Sequence, residues 1–382
     1  MSFLPGKFWA VFVAIICFIL PALASQAAVP PAASQPASTD KTWHFAVSGD
    51  SRNCGDVVMP AIAAGVKHDD ASFYWHLGDL RWIVDMDQDF QQLSAMQGKR
   101  LSVVDYPQYL RKAWEDFIQS QIKYFGDTPF FVGIGNHELY FPKTRAEFVT
   151  QFTPWLDTPE LRAQRLKDDP DDHVVKTYYH WVRDGIDFIN LDNASKEEFD
   201  DAQMKWFESV LERDQSDPAI RTIVVGMHEA LPESISADHS MHMWPRGVQT
   251  GLQVYRDLLK AQNKGKRKVY VLASHSHYFM DGTYQTDYWK KHGGVLPGWI
   301  VGTAGAERYP LPPGAENANA ASQYIYGYLL ATVNPPREPA GTIRFEFKQL
   351  DENTIPAETV KLFSAPFVHQ CFIGNRRLTQ AH

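Results

Sequence analysis

The sequence predicts an α/β fold built as one large domain over residues 42–382. Three observations lead there. Short apolar runs, rich in aromatic and β-branched residues, alternate with stretches of helical period. Five of those runs end in small clusters of Asp, Asn and His. The 382-residue chain is 44% hydrophobic and 13% aromatic, enough apolar material for a sizeable core.

The chain opens on a different pattern. Lys7 gives a positive start, Phe8 to Leu20 is an unbroken apolar run, Pro21 breaks it, and Ala22-Leu23-Ala24 is a small-x-small cleavage pattern. The run falls short of the roughly 20 residues a membrane helix needs. Residues 1–24 therefore read as a signal peptide of a periplasmic or secreted protein, with no membrane anchor after cleavage. Cleavage after Ala27 and an uncleaved anchor are the competing readings. Residues 25–41, rich in Pro, Ala and Ser, form a flexible tether.

The strands follow. Trp43–Val47 runs into Gly49-Asp50, and Phe73–Leu77 into Gly78-Asp79. Pro129–Ile134 runs into Gly135-Asn136-His137-Glu138, Thr222–Gly226 into Met227-His228, and Val269–Ala273 into Ser274-His275-Ser276-His277. Runs apolar on both faces suit sheets covered on both sides. In such sheets the C-terminal strand ends open onto a shared crevice, so these distant polar clusters are expected to converge. Between them, Leu110, Trp114, Phe117, Ile118 and Phe125 form one helical stripe. Met204, Phe207, Val210 and Leu211 form another, capped by Asp200 or Asp201. Tyr178–Arg183 and Ile186–Leu191 flank Asp184-Gly185, a hairpin turn. Tyr324–Val333 and Thr342–Phe347 alternate like antiparallel strands. Residues 81–105, 140–175 and 230–262 interrupt the rhythm and read as insertions over the crevice.

Charge and cysteine exclude other classes. With 45 acidic against 37 basic residues and a net charge of −8, a dedicated nucleic-acid surface is not expected. Three cysteines exclude a disulfide-dense scaffold and a Cys-rich zinc module. Beyond the leader, Cys54 and Cys371 have one intramolecular pairing, which would tie the C-terminal tail to an early loop. Two separate buried thiols are the alternative.

Carboxylates and imidazoles with few thiols suit hard to borderline divalent ions: Mn, Fe or Zn. Two such ions clamp a phosphoryl group and generate hydroxide at neutral pH. In order, Gly49-Asp50-Ser51-Arg52, Gly78-Asp79, Gly135-Asn136-His137-Glu138, His228 and Ser274-His275-Ser276-His277 resemble the motifs of the calcineurin-like metallophosphoesterases. The resemblance covers roughly residues 43–305. It implies a four-layer α/β/β/α sandwich of two mixed sheets flanked by helices, with a dinuclear centre. On it, Asp50 and His277 would hold the first metal, Asp79 would bridge, and Asn136, His228 and His275 would hold the second. His137 would sit beside the phosphate as general acid or transition-state hydrogen-bond donor.

Two positions depart from that pattern. Where the family has the first-motif His, this chain has Arg52, whose guanidinium has donors only and cannot ligate. Its fork suits a substrate phosphate oxygen, or it folds back onto a local carboxylate such as Asp56. Asn53 is a further oxygen donor near the metal. Trp82 stands where purple acid phosphatases place a Tyr ligand, so the likeness to that branch fails there. His76 reads as strand packing or support. Tyr140, Trp82, Trp244 and Tyr309 are candidate pocket walls. Asp238–His242 is a loop that reaches the crevice or stays on the surface, and Arg308, in the small-residue segment Gly302–Tyr309, is a second candidate phosphate contact. The expected function is hydrolysis of a small phosphorylated substrate, a phosphomonoester first. A phosphodiester, or a non-catalytic phosphate- or metal-binding role, is the alternative.

Overall fold

The computed structural model describes residues 41–378. The expected signal peptide and nearly all of the tether lie outside the described residues. Twelve strands follow in chain order: β1 Trp43–Ser48, β2 Ala71–His76, β3 Phe130–Val132, β4 Tyr179–Arg183, β5 Ile186–Asn190, β6 Thr222–Met227, β7 Lys268–Ala273, β8 Phe279–Asp281, β9 Gly298–Val301, β10 Ala320–Ser322, β11 Tyr326–Val333 and β12 Ile343–Leu350. They form two sheets. The first has the order β12-β11-β1-β2-β3, the second β10-β8-β9-β7-β6-β5-β4. In the first, β1, β2 and β3 run parallel and β11 and β12 are antiparallel. In the second, β5, β6, β7 and β9 run parallel, and β4, β8 and β10 are antiparallel additions. Both sheets are mixed and helices flank them, as the sequence predicts.

The alternation of each strand decides what it packs on. Phe188, Val224 and Leu272 enter one core with Phe45, Phe73 and Trp75 of the first sheet. Their chain neighbours Ile189, Val225 and Val271 point the other way, into a second core. The interface between the sheets is aromatic. Phe73 meets Phe188 edge-on at 5.3 Å, and Phe131 stacks on Trp181 at 3.9 Å. Trp75 crosses to the second sheet because Gly226 has no side chain; a Cβ there would lie 2.3 Å from the indole. The indole N–H donates to Asn190 Oδ1 at 3.0 Å.

The expected elements appear with small shifts. The first helical stripe is a helix, Tyr106–Ser120, closed by a short turn, Ile122–Phe125. The second is Asp201–Ser216, with the Asp200 side chain accepting the Gln203 N–H. Helix Gly55–His68 was not expected, since Pro60 interrupts it and small residues blur its period. The segment 230–262 is only partly a loop over the crevice. Its second half is the helix Pro245–Asn263, whose Val254, Tyr255 and Leu258 join the second core. Cys54 and Cys371 are bonded, with their Cα atoms 6.0 Å apart.

Candidate metal centre

The parallel strands β1, β2, β3, β6 and β7 deliver their polar clusters to one place. Three of the delivered residues, Asp50, Asp79 and His275, sit at φ of 62°, 58° and 63°. Left-handed backbone in a residue with a Cβ is a strained choice that persists where surrounding contacts enforce it. Here the enforcement is visible. Glu138 accepts the backbone N–H groups of Asp79, Leu80 and Gly135 at 2.8–2.9 Å. His76 accepts the Gly78 N–H through Nδ1 at 3.2 Å, which leaves its Nε2–H for Ser51 Oγ at 3.0 Å. His76 thus joins the Asp50 loop to the Asp79 loop and ligates nothing. Gly135 permits the closest approach: a Cβ there would lie 2.3 Å from Asp79 Oδ1 and 2.9 Å from the His228 ring.

Around His228 the donor atoms face one another. Its Nδ1–H donates to the Leu77 carbonyl at 3.0 Å, which turns Nε2 inward. That nitrogen lies 3.1 Å from His275 Nδ1, 3.0 Å from Asn136 Oδ1 and 3.3 Å from Asp79 Oδ1. Burial opposes charge on His228, but without an ion Asp79 and Asp50 overcome it and push it up to about 10, so a divalent ion would take the place of the Nε2 proton. Burial and the neighbouring His228 hold His275 well below the usual imidazole range. Asp79, His228 and His275 close to within 4.8 Å of one another, the one such group of His and acid side chains among the described residues. Four inward-facing oxygen and nitrogen donors fit a borderline divalent cation. The second position that the resemblance implies therefore fits a metal.

The first position does not. His277 Nδ1–H donates to the Glu307 carbonyl at 2.6 Å, so its Nε2 also faces inward, 3.1 Å from Asp50 Oδ1. The group beside them is the Arg52 guanidinium. Its Nη2 lies 3.0 Å from His277 Nε2 and its Nε 3.5 Å from Asp79 Oδ2. Arg52 is buried, and neither Arg52 Nε nor Asp79 Oδ2 has a hydrogen bond. The expectation that Arg52 grips substrate or folds onto Asp56 is corrected on its second half: Asp56 is taken by Arg81 at 2.8 Å and by Gln121 and Ser120.

Other candidates sort by contact. His137 donates from Nδ1 to the Trp82 carbonyl at 2.8 Å, leaving Nε2 3.8 Å from Asp79 Oδ2. Burial and the Arg52 charge push His137 down to about 4. Tyr140 lies edge-on to that ring at 5.0 Å. Trp82 contributes its backbone carbonyl. Asn53 turns its side-chain oxygen to the Glu307 N–H at 3.3 Å, away from a ligand role. Arg308 is corrected: its guanidinium is buried and donates to the carbonyls of Tyr324, Phe372 and Asn375, so it fixes the C-terminal segment and is turned to these carbonyls, not to a phosphate. Tyr309 packs on His277 at 4.1 Å. The loop with Asp238 and His239 does reach the crevice. With Asn136, Glu229, Trp244 and His275 it lines a cleft of about 390 Å³. Sequence reading missed Glu138 as a clamp and Glu229 as a cleft wall. The first had a signal, its fixed place in the Asn-His-Glu cluster.

No family model matches this sequence, and no curated protein matches it. Among solved structures, PhoD is similar at 14% identity with a TM-score of 0.50, over 89% of this chain and 78% of that one. A purple acid phosphatase from yellow lupin (Lupinus luteus) seeds is similar at 14% identity with a TM-score of 0.49; the match covers 83% of this chain but 53% of the lupin chain. A dimetal phosphatase from Danio rerio is similar at 11% identity and a TM-score of 0.45, over 80% of this chain and 99% of that one. At these identities the likeness is one of fold. Two mixed sheets flanked by helices, with the donors at the strand ends, are the fold that this chain shares with PhoD.

Proposed function

We propose that this chain is an exported, metal-dependent phosphoesterase acting first on phosphomonoesters. The observation that carries the reading is the set of four inward donors, Asp79 Oδ1, Asn136 Oδ1, His228 Nε2 and His275 Nδ1, beside an open cleft. A bound divalent ion would supply Lewis-acid charge and an activated water there. The chain's own residues do the rest. Asp79, held by Glu138 through its backbone, fixes the donor set. Arg52 lends a permanent positive charge at the floor, where phosphoryl transfer gains most from preorganised charge. His137 stands beside Asp79 with Nε2 free; the approach of a phosphoryl dianion would raise its proton affinity and let it protonate the departing oxygen.

Monoesters come first because a dianion gains more than a diester monoanion from a fixed guanidinium. Diesters are the second reading, favoured by the turn of Arg52 toward Asp79 and His277, which leaves it fewer donors for substrate. The test is turnover of nitrophenyl phosphate and bis(nitrophenyl) phosphate by metal-loaded mature protein. Faster monoester hydrolysis, lost on His228→Ala, is expected. Faster diester hydrolysis replaces the substrate assignment, and no turnover of either with metal bound leaves a binding protein.

A further inference from the structure

We infer that Arg52 replaces the first metal ion of this fold and that the centre takes a single divalent ion, at the Asp79–Asn136–His228–His275 position. The inference rests on the metal-dependent reading above and makes it more specific. The atoms that the resemblance assigns to a first metal are Asp50 Oδ1, His277 Nε2 and the outer oxygen of Asp79. Two of the three meet one guanidinium, and Asp50 Oδ1 reaches the same place through His277. Arg52 Nη2 is 3.0 Å from His277 Nε2, Arg52 Nε is 3.5 Å from Asp79 Oδ2, and Asp50 Oδ1 is 3.1 Å from the same His277 nitrogen. With Nδ1–H committed to Glu307, His277 Nε2 is an acceptor, and the N–H of Arg52 takes the lone pair that a metal would otherwise take.

The backbone that carries Arg52 is pinned. The residue after it, Asn53, donates its backbone N–H to Asp87 Oδ1 at 2.5 Å and accepts the Asp89 N–H at 2.9 Å. The next, Cys54, is bonded to Cys371 and donates its backbone N–H to the Gly305 carbonyl at 3.1 Å. Both flanks of Arg52 are buried. A fixed arginine does part of what a metal does: it neutralises carboxylates and stabilises charge that builds on a phosphoryl group. It cannot activate water. The division of labour then follows from the two donor sets: one ion for Lewis-acid chemistry, one guanidinium for charge. The formal sum is also met, since the two carboxylates Asp50 and Asp79 face one guanidinium and one divalent ion, leaving a net positive floor for a dianionic phosphate.

The measurement is metal content and Mn(II) electron paramagnetic resonance on purified mature protein loaded with excess Mn(II) and desalted. One ion per chain with the spectrum of an isolated ion is expected. Arg52→His, which restores the family's ligand type, should raise the content to two and give an exchange-coupled spectrum. His277→Ala in the otherwise native chain should keep one ion, whereas His228→Ala should lose it; this pair holds the test open should Arg52→His fail to fold. Two ions in the native chain, or loss of the single ion in His277→Ala, overturns the inference. One ion with no turnover of either nitrophenyl ester leaves it standing and sinks the phosphoesterase reading, so the two failures are distinct.

Discussion

Arg52 and Arg81 are both buried among carboxylates, yet they stand in regions of opposite character. Arg81 is fully buried and reaches Asp56 at 2.8 Å, Asp116 at 2.5 Å, Asp89 at 3.4 Å and Asp87 at 3.8 Å. Those carboxylates are tied in turn to Ser120, Gln121, Tyr109 and the backbone of Asn53 and Asp56. It is a closed nest in which the cation is the protein's own. Around Arg52 only half the site is closed that way. The other half, at His228, has donor atoms facing one another with nothing from the protein between them. The difference teaches how to tell a structural charge cluster from a metal centre: not by counting acids, which favours the Arg81 nest, but by asking whether ligand atoms converge on a place that no Lys or Arg fills.

The largest expected effect separates the two arginines. Arg81→Met leaves three buried carboxylates and the half-buried Asp116 with no counter-charge, and breaking a buried ion pair in this way costs about 3–5 kcal/mol. Urea unfolding should show a lowered midpoint or no folded baseline. Arg52→Met should cost clearly less stability in metal-loaded protein and most of the turnover. Equal losses of stability would erase the contrast.

The strip that joins the two regions is next. Arg52, Asn53, Cys54 and Asp56 are nearly consecutive, and Cys54 anchors them to Cys371 across 317 residues. Removing the bond by the double change Cys54→Ser and Cys371→Ser should cost about 2–5 kcal/mol. Thermal unfolding with and without reductant checks it; the native chain should lose stability on reduction and the double variant should not respond. A reduced native chain that keeps its midpoint would show that the strip is held by the Asp87, Asp89 and Gly305 contacts without the bond.

Third is the half-open side. A divalent ion that binds only the folded chain should stabilise it by about 2.7 kcal/mol at 100 times its dissociation constant. Chelation of loaded protein should therefore lower its thermal midpoint by several degrees, and the shift should vanish in His228→Ala. A shift that survives in that variant would place the ion elsewhere.

Much of this was legible in the chain. Asp50, Asp79, Asn136, His137, His228, His275 and His277 could be placed because each follows an apolar run, and parallel strands bring such ends together. The Asp184-Gly185 hairpin was legible from its turn. What a long side chain touches was not. Arg52 and Arg308 have similar local sequence promise, and only the packed fold shows one among metal donors and the other on three carbonyls. The Arg81 nest was invisible for a related reason: Asp87 and Asp89 fall in the segment 81–105, which reads as an insertion, and the nest closes only when Asp56 and Asp116 arrive from two helices. The helix Gly55–His68 escaped because its small residues pack against strands that a periodic pattern cannot reveal.

The smallest effect concerns a third cluster, and it sharpens the first contrast by making the closing cation titratable. On the far edge strand of the second sheet, buried His180 takes the role that Arg81 has in its nest. Its Nδ1 bonds Asp187 at 2.8 Å and its Nε2 bonds Asp168. Burial opposes the charge, but Asp187 and Asp168 outweigh it and raise His180 to about 10. A folded-state value above the unfolded one of about 6.5 means that the imidazolium stabilises the native chain fully below pH 6.5. That contribution falls as pH rises and is gone above about 10. Arg81 stays charged throughout this range, so its contribution should not follow pH. His180→Gln should therefore be less stable than the native chain at pH 6, with the gap narrowing toward pH 10 in urea titrations at stepped pH. A gap that stays constant would mean that shape, not charge, is what His180 supplies.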